Sequence, residues 1–465
     1  MMAMFPLLVF IIASITHLFS YGNPPSVVFD EVFYGNFIQH YWQGTYFFDQ
    51  HPPFVKLLFT FVGWIFGANH YQADWTSIGN VVPAAIIDIR IVPMIAGILL
   101  SLVIYALCRR LEFSKTASIT AAILVSLENS LIVQSRFLLP DVILLLAGFS
   151  AILCYLEYIR RFPEKNRRWF LLASSVLAAL ALSTKWTGLT FLFMIVCLEF
   201  YRLFKNRTSF GNFAKKLSSF VAIYAGISLV IYLTLFAVHF ALLPKSGPGD
   251  AFMTPSFLKT LSNSQYSADP IVAPEGFFGK FLELNREMYV TNKGMTATHP
   301  YSSKWYTWPF MIRPVFYWQG NTGSSTQPQS YIYLLGNPFI YWLGSLSILT
   351  VIILGIIGFI NIRSGKENSK EKIIFFLSIG YLANLLPFAL IGRVMFLYHY
   401  ETALVFSIIA ISFLTDYFDE RKRNIITGII LLVALIAFIY WSPLTYGTPL
   451  SDQQLASLMW LRTWR

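Results

Sequence analysis

The densest run of chemically able side chains lies between Ser26 and Leu58, SVVFDEVFYGNFIQHYWQGTYFFDQHPPFVKLL. Asp30 and Glu31 are adjacent, and Asp49 and His51 stand two apart, just ahead of Pro52 and Pro53. A carboxylate set among aromatic residues is partly desolvated and needs a partner or a task. Asp30, Glu31, Asp49 and His51 could ligate a metal as carboxylates and imidazole, although no close-spaced ligand pattern is present. Asp30 also suits a structural role as a helix N-cap. Capping does not account for Glu31, Asp49 and His51 on the same short segment.

The surrounding sequence says what must hold these groups. Phe33, Phe37, Tyr41 and Trp42 recur at the spacing of an amphipathic helix lying in the membrane interface, with Asp30 at its N-terminus. Gln43 and Gly44 turn the chain, and Pro52 and Pro53 forbid a helix at the Asp49–His51 pair. The apolar stretch Phe54 to Phe66 that follows is too short to span a bilayer and is expected to re-enter or lie flat.

The whole chain has 465 residues, 56% hydrophobic and 12% charged, with a mean hydropathy of +0.59. That excludes a soluble globular enzyme, whose charged fraction is about 25%. The predicted fold is an all-α polytopic membrane protein of about eleven spans. They fall near 4–20, 84–108, 116–135, 141–159, 169–185, 187–203, 217–243, 333–360, 373–391, 395–415 and 424–441. The first reads as a retained span, because no small-residue cleavage site follows it. Of the 34 Lys and Arg residues, 20 sit in the connections 109–115, 160–168, 202–216, 361–372 and 416–424. Short basic loops are cytoplasmic. The net charge of +11 therefore follows from topology and anionic headgroups, and nucleic acid need not be invoked. Two long segments, 21–83 and 244–332, then face the outer side. The expected organisation is an N-terminal transmembrane module (1–243), a large outer loop (244–332) with a mobile tip at Gln319 to Ser330, C-terminal helices (333–441) and an outer-face tail (442–465). Cys108, Cys154 and Cys197 lie in apolar runs and form no disulfide framework.

SVVFDEVFYG and YFFDQHPPFVKLL resemble the first loop of the protein O-mannosyltransferases, membrane glycosyltransferases of the GT-C class. Further similarities run in order along the chain: Asp88 to Arg90, ENSLIVQSR (Glu128 to Arg136) with Asp141 after it, Lys185-Trp186 with Gly188 and Leu189, GRVMFLYHY (Gly392 to Tyr400), and the closing GTPLSDQQLASLMWLRTW. Phe33 and Tyr34 depart from the family's usual His and Phe. The large outer loop is too short for the MIR β-trefoil of eukaryotic members, so the chain is similar to prokaryotic ones. Its segment His299 to Trp318 resembles their loop and is a candidate for contact with acceptor or sugar.

The resemblance implies an inverting transferase that moves mannose from a polyprenyl-phosphate donor to Ser or Thr of a secreted or membrane protein, on the extracytoplasmic face. It implies Asp30 as general base, with Glu31 orienting it or the acceptor. A departing phosphate gains charge in the transition state, so fixed cations are needed. Arg90 is the first candidate, followed by Arg136, Lys185 and Arg393. Asp49, His51 and His399 are further site candidates, and Glu401 is placed with Arg393 and His399 for carrier or phosphate contact. No metal or other cofactor is expected. Pairing with the secretion channel or with a second copy stays open. Two alternatives remain: a GT-C transferase with a lipid or glycan acceptor, similar to aminoarabinose transferases, and a lipid transporter.

Overall fold

The computed structural model describes residues 4–207, 209–320, 327–362 and 370–465. Residues 321–326 of the expected loop tip, and 363–369 of one basic connection, lie outside the described residues. Among the described residues eight helices are long and apolar enough to cross a membrane: Ala84–Arg110, Asp141–Arg160, Trp186–Lys205, Phe210–Leu242, Pro338–Gly358, Glu371–Leu390, Leu397–Thr415 and Glu420–Tyr446. A ninth is a bent pair, Lys115–Ser126 and Asn129–Arg136, meeting at 54°. The two other expected spans, Met4–Leu18 and Arg167–Leu182, are helices of only 15 and 16 residues. Among the described residues the structure thus gives eight or nine full-length spans where about eleven were expected.

The bend has a local cause. Glu128 interrupts the helix in extended backbone (φ −84°, ψ 109°) and caps the next one, its carboxylate accepting from the Ser130 amide at 3.0 Å. The same Oε1 accepts from the Asn337 amide at 2.9 Å, which ties the break to the start of the Pro338–Ile362 helix. A buried carboxylate needs such donors, and here they come from backbone freed by the break.

The expected interfacial helix is present as Glu31–Gln43, closed by Gly44 in the left-handed conformation (φ 71°). Its buried face is Tyr34, Ile38 and Tyr41, while Phe33 is exposed. Gly35 is where Trp75 packs: a Cβ there would lie 2.2 Å from the indole. The short apolar stretch forms the helix Phe54–Ile65 and packs against Glu31–Gln43.

One element departs from the all-α expectation. A small antiparallel sheet runs β1 (Val315–Gln319), β2 (Gln329–Leu334) and β3 (Pro449–Leu450), with an irregularity between Phe316 and Trp318. The alternating VFYWQ and QSYIYL segments bury Val315, Tyr317, Ile332 and Leu334. Burial alternates along β1, as a half-buried strand requires, whereas the end of β2 is buried on both faces, Tyr333 included. The chain's last residues return to this loop, and the buried Trp464 donates from Nε1 to the Met311 carbonyl at 2.8 Å.

Candidate functional site

Asp30 enters the site through an unusual backbone. Phe29 has φ +47°, a left-handed conformation that a bulky residue adopts only when its surroundings hold it there. Those surroundings are visible. The Phe29 ring stacks on Tyr317 of β1 at 4.0 Å and 8°, and its amide donates to the Tyr317 carbonyl at 3.2 Å. The Asp30 side chain makes no capping hydrogen bond. The N-cap reading of its carboxylate is therefore corrected: it faces a cavity.

That cavity measures about 1480 Å³. Asp30, Asp49, His51, Asp141, Lys185, Arg393, Tyr398, His399 and Glu401 all border it. The structure thus gathers seven of the residues singled out by sequence, Asp30, Asp49, His51, Lys185, Arg393, His399 and Glu401, from four separate segments. Its other wall is apolar, with Leu144, Leu145, Leu189, Phe193 and Phe388.

The charges are arranged in pairs. Lys185 sits 2.8 and 2.9 Å from the two oxygens of Asp141, with its ammonium 5.1 Å from the centre of the Tyr398 ring. Lys56 pairs with Asp49 and donates to the His51 carbonyl at 2.7 Å. No carboxylate lies within ion-pair distance of Arg393 among the described residues, and burial lowers its affinity for the proton from the ordinary guanidinium value. Burial is the first cause of the Asp30 shift, which takes its carboxyl up to about 7; Lys185 opposes it, and the carboxylates of Asp141 and Asp49 add to it. Burial, helped by Lys185, Lys56, Arg393 and His399, pushes His51 well below the usual imidazole range. His51 is thus neutral at physiological pH. His399 stacks between Trp308 (5.8 Å, 11°) and Tyr398 (4.6 Å, 21°), which fixes its ring against the cavity.

Three expected site residues are elsewhere. Arg90 donates from Nε to Glu31 Oε1 at 2.9 Å and from Nη2 to Glu31 Oε2 at 2.7 Å. Its remaining bonds, both 2.7 Å, go to the carbonyls of Pro24 and Ser26. Arg90 and Glu31 are 2% and 0% exposed, so neither reaches a ligand in the cavity. The expected roles of Arg90 on phosphate and of Glu31 on acceptor are corrected to a buried clamp. Glu31 also accepts from the Leu138 and Val28 amides at 2.9 and 3.0 Å. Arg136 is likewise committed, to the carbonyls of Phe19, Ser20 and Asn23, with its guanidinium 4.8 Å from the Tyr446 ring. It anchors the end of the first helix rather than meeting phosphate.

Sequence reasoning gave Asp141 no role beyond flanking a motif, and it did not single out Tyr398. A carboxylate directly after Pro140, opening a helix, was the available signal for the first; nothing local marked the second. Among the described residues, no three His, Cys, Asp or Glu side chains converge to hold a metal ion.

A helical bundle with a charged cavity between its helices and their connecting segments has the GT-C architecture. The Archaeoglobus fulgidus oligosaccharyltransferase, solved with zinc and sulfate, aligns over 98% of this chain and 55% of its own, with a TM-score of 0.54 and 16% identity. The Saccharomyces cerevisiae protein O-mannosyltransferase Pmt1-Pmt2 complex, solved bound to the sugar donor, aligns over 100% of this chain and 92% of that chain, with a TM-score of 0.89 and 19% identity. Residues 7–244 match the dolichyl-phosphate-mannose-protein mannosyltransferase family, and residues 277–464 match the C-terminal four-transmembrane region of protein O-mannosyltransferases. The chain belongs to the protein O-mannosyltransferase family. Dolichyl-phosphate-mannose-protein mannosyltransferase 4 of Candida albicans is 33% identical over 302 residues, covering 61% of this chain. The match spans only 40% of that relative's length.

Proposed function

We propose that the cavity transfers mannose from a polyprenyl-phosphate-mannose donor to the hydroxyl of Ser or Thr in a secreted or membrane protein, at the extracytoplasmic face. The observation that carries this reading is Asp30: a carboxylate without a capping bond, held near neutrality by burial, on the same cavity as Lys185, Arg393 and His399. A base is most effective when its pKa lies near the working pH.

In the proposed step ionised Asp30 takes the acceptor proton, and the acceptor oxygen bonds to the anomeric carbon. The bond from that carbon to the phosphate oxygen breaks, and its electron pair stays on the phosphate. Lys185 and Arg393 lie where they can meet the charge that grows there, so their contribution is larger in the transition state than in the bound donor. The apolar wall at Leu144, Leu189 and Phe193 suits the carrier's hydrocarbon. One displacement with one base inverts the anomeric carbon, so a β-linked donor gives an α-linked product. No metal takes part in this scheme. Pairing with a second copy or with a secretion channel belongs to the same proposal.

The test is mannose transfer by the purified protein from polyprenyl-phosphate-mannose to Ser/Thr-rich peptides, with and without chelator. Mannosylated peptide in both samples supports the reading. Donor consumption only when native lipids are added, with peptide left unmodified, would favour the lipid-acceptor alternative.

A further inference from the structure

Glu401 stands out among the cavity residues. It is 1% exposed, and neither of its carboxylate oxygens has a hydrogen-bond partner. It nevertheless borders the cavity, at the start of the helix Glu401–Thr415. Asp141 and Lys185 are close enough to act on it electrostatically, yet the Lys185 ammonium pairs with Asp141 at 2.8 Å and gives Glu401 no hydrogen bond. A buried polar group without a partner is costly, and one that faces a cavity is satisfied by whatever fills it. Tyr317, wholly buried, also has a hydroxyl without a partner, and Glu401 is the leading charge acting on it.

We propose that Glu401 binds the sugar of the donor, accepting hydrogen bonds from its ring hydroxyls. This rests on the donor assignment above, and hydrogen-bond chemistry selects the moiety. The ionised phosphate diester has no hydrogen to give an accepting oxygen, and the cations Lys185 and Arg393 suit it better. The acceptor offers a single reacting hydroxyl, which Asp30 claims. The carrier chain offers no donor at all. Only the sugar presents several O–H groups, and hydrogen bonds from them to the Glu401 oxygens are strong in a water-poor site. Glu401 is thereby a specificity-determining residue: it makes the site prefer a glycosylated carrier over the bare polyprenyl phosphate left after transfer, and so favours product release.

The experiment compares binding of polyprenyl-phosphate-mannose and of sugar-free polyprenyl phosphate to the purified full chain, for wild type, Glu401→Gln and Glu401→Ala. The expected result is about a tenfold or larger loss of mannosyl-donor affinity in Glu401→Ala, a smaller loss in Glu401→Gln, and bare polyprenyl phosphate bound as well as or better than by wild type. Thermal unfolding of each variant separates misfolding from lost contacts, and Glu401→Gln, which keeps size and polarity, guards against the former. If both ligands weaken together, or neither changes, the sugar contact is overturned. If wild type itself does not distinguish the two ligands, the donor assignment falls, independently of Glu401.

Discussion

Arg90 and Glu31 form a two-point ion pair, 2.9 and 2.7 Å, between the N-terminal end of the Ala84–Arg110 span and the residue beside Asp30. Both partners are buried, and Glu31 extends the contact to the Leu138 amide at 2.9 Å. One carboxylate therefore fixes the first loop to two helices, while its neighbour is left free to face the cavity.

Removing one partner of such a pair strands a charge, which costs about 3–5 kcal/mol, whereas replacing both with apolar residues of similar size is close to neutral. Arg90→Ala and Glu31→Ala should each lower the unfolding temperature in detergent markedly. The double variant Arg90→Met with Glu31→Leu should recover most of the loss. A phosphate-binding Arg90 would instead lose donor affinity at unchanged stability.

The raised Asp30 carboxyl has a direct kinetic consequence. Asp30 works only when ionised, so kcat/KM should rise with pH and level off above about 7, falling about tenfold per pH unit below it. Lys185 favours the ionised form, so Lys185→Gln should move this limb to higher pH. Asp49 disfavours it, so Asp49→Asn should move the limb lower. A profile flat from pH 5 to about 9 would remove Asp30 from the chemistry.

Lys185 is held by Asp141 and by the face of Tyr398, positioned before any donor arrives. Loss of one such preorganised cation should cost about 10²–10³-fold in kcat. Lys185→Gln combined with Asp141→Asn, which leaves no stranded buried charge, should show this loss with near-normal unfolding. Single-turnover transfer rates measure it.

Much of this was legible in the sequence. Apolar length placed the bundle. The three-to-four spacing after Asp30 announced a helix with Phe33, Phe37, Tyr41 and Trp42 in register, but did not show that Tyr34 and Ile38 are buried with Tyr41 while Phe33 stays exposed. Aromatic and aliphatic residues are equally apolar in such a count, and only Trp75 packing on Gly35 decides which side is inward. The sheet was missed because Gln319 to Ser330 read only as a loop tip; Gln319 ends β1 and Gln329 opens β2, and the two strands pair across the residues between them. Arg90 was misplaced for a related reason. A charge at the end of a span needs a counter-charge, but sequence does not say whether that is a ligand or Glu31, 59 residues earlier. Asp141 and Lys185 meet across 44 residues, and no local pattern encodes that.

The most direct test of the central claim is the mass of a Ser/Thr peptide after incubation with polyprenyl-phosphate-mannose and either wild type or Asp30→Asn. A general base contributes about 10²–10⁴-fold. Wild type should add one hexose per modified hydroxyl, and Asp30→Asn should do so at least about 10²-fold more slowly while binding the donor normally. Equal rates in the two proteins would contradict the account.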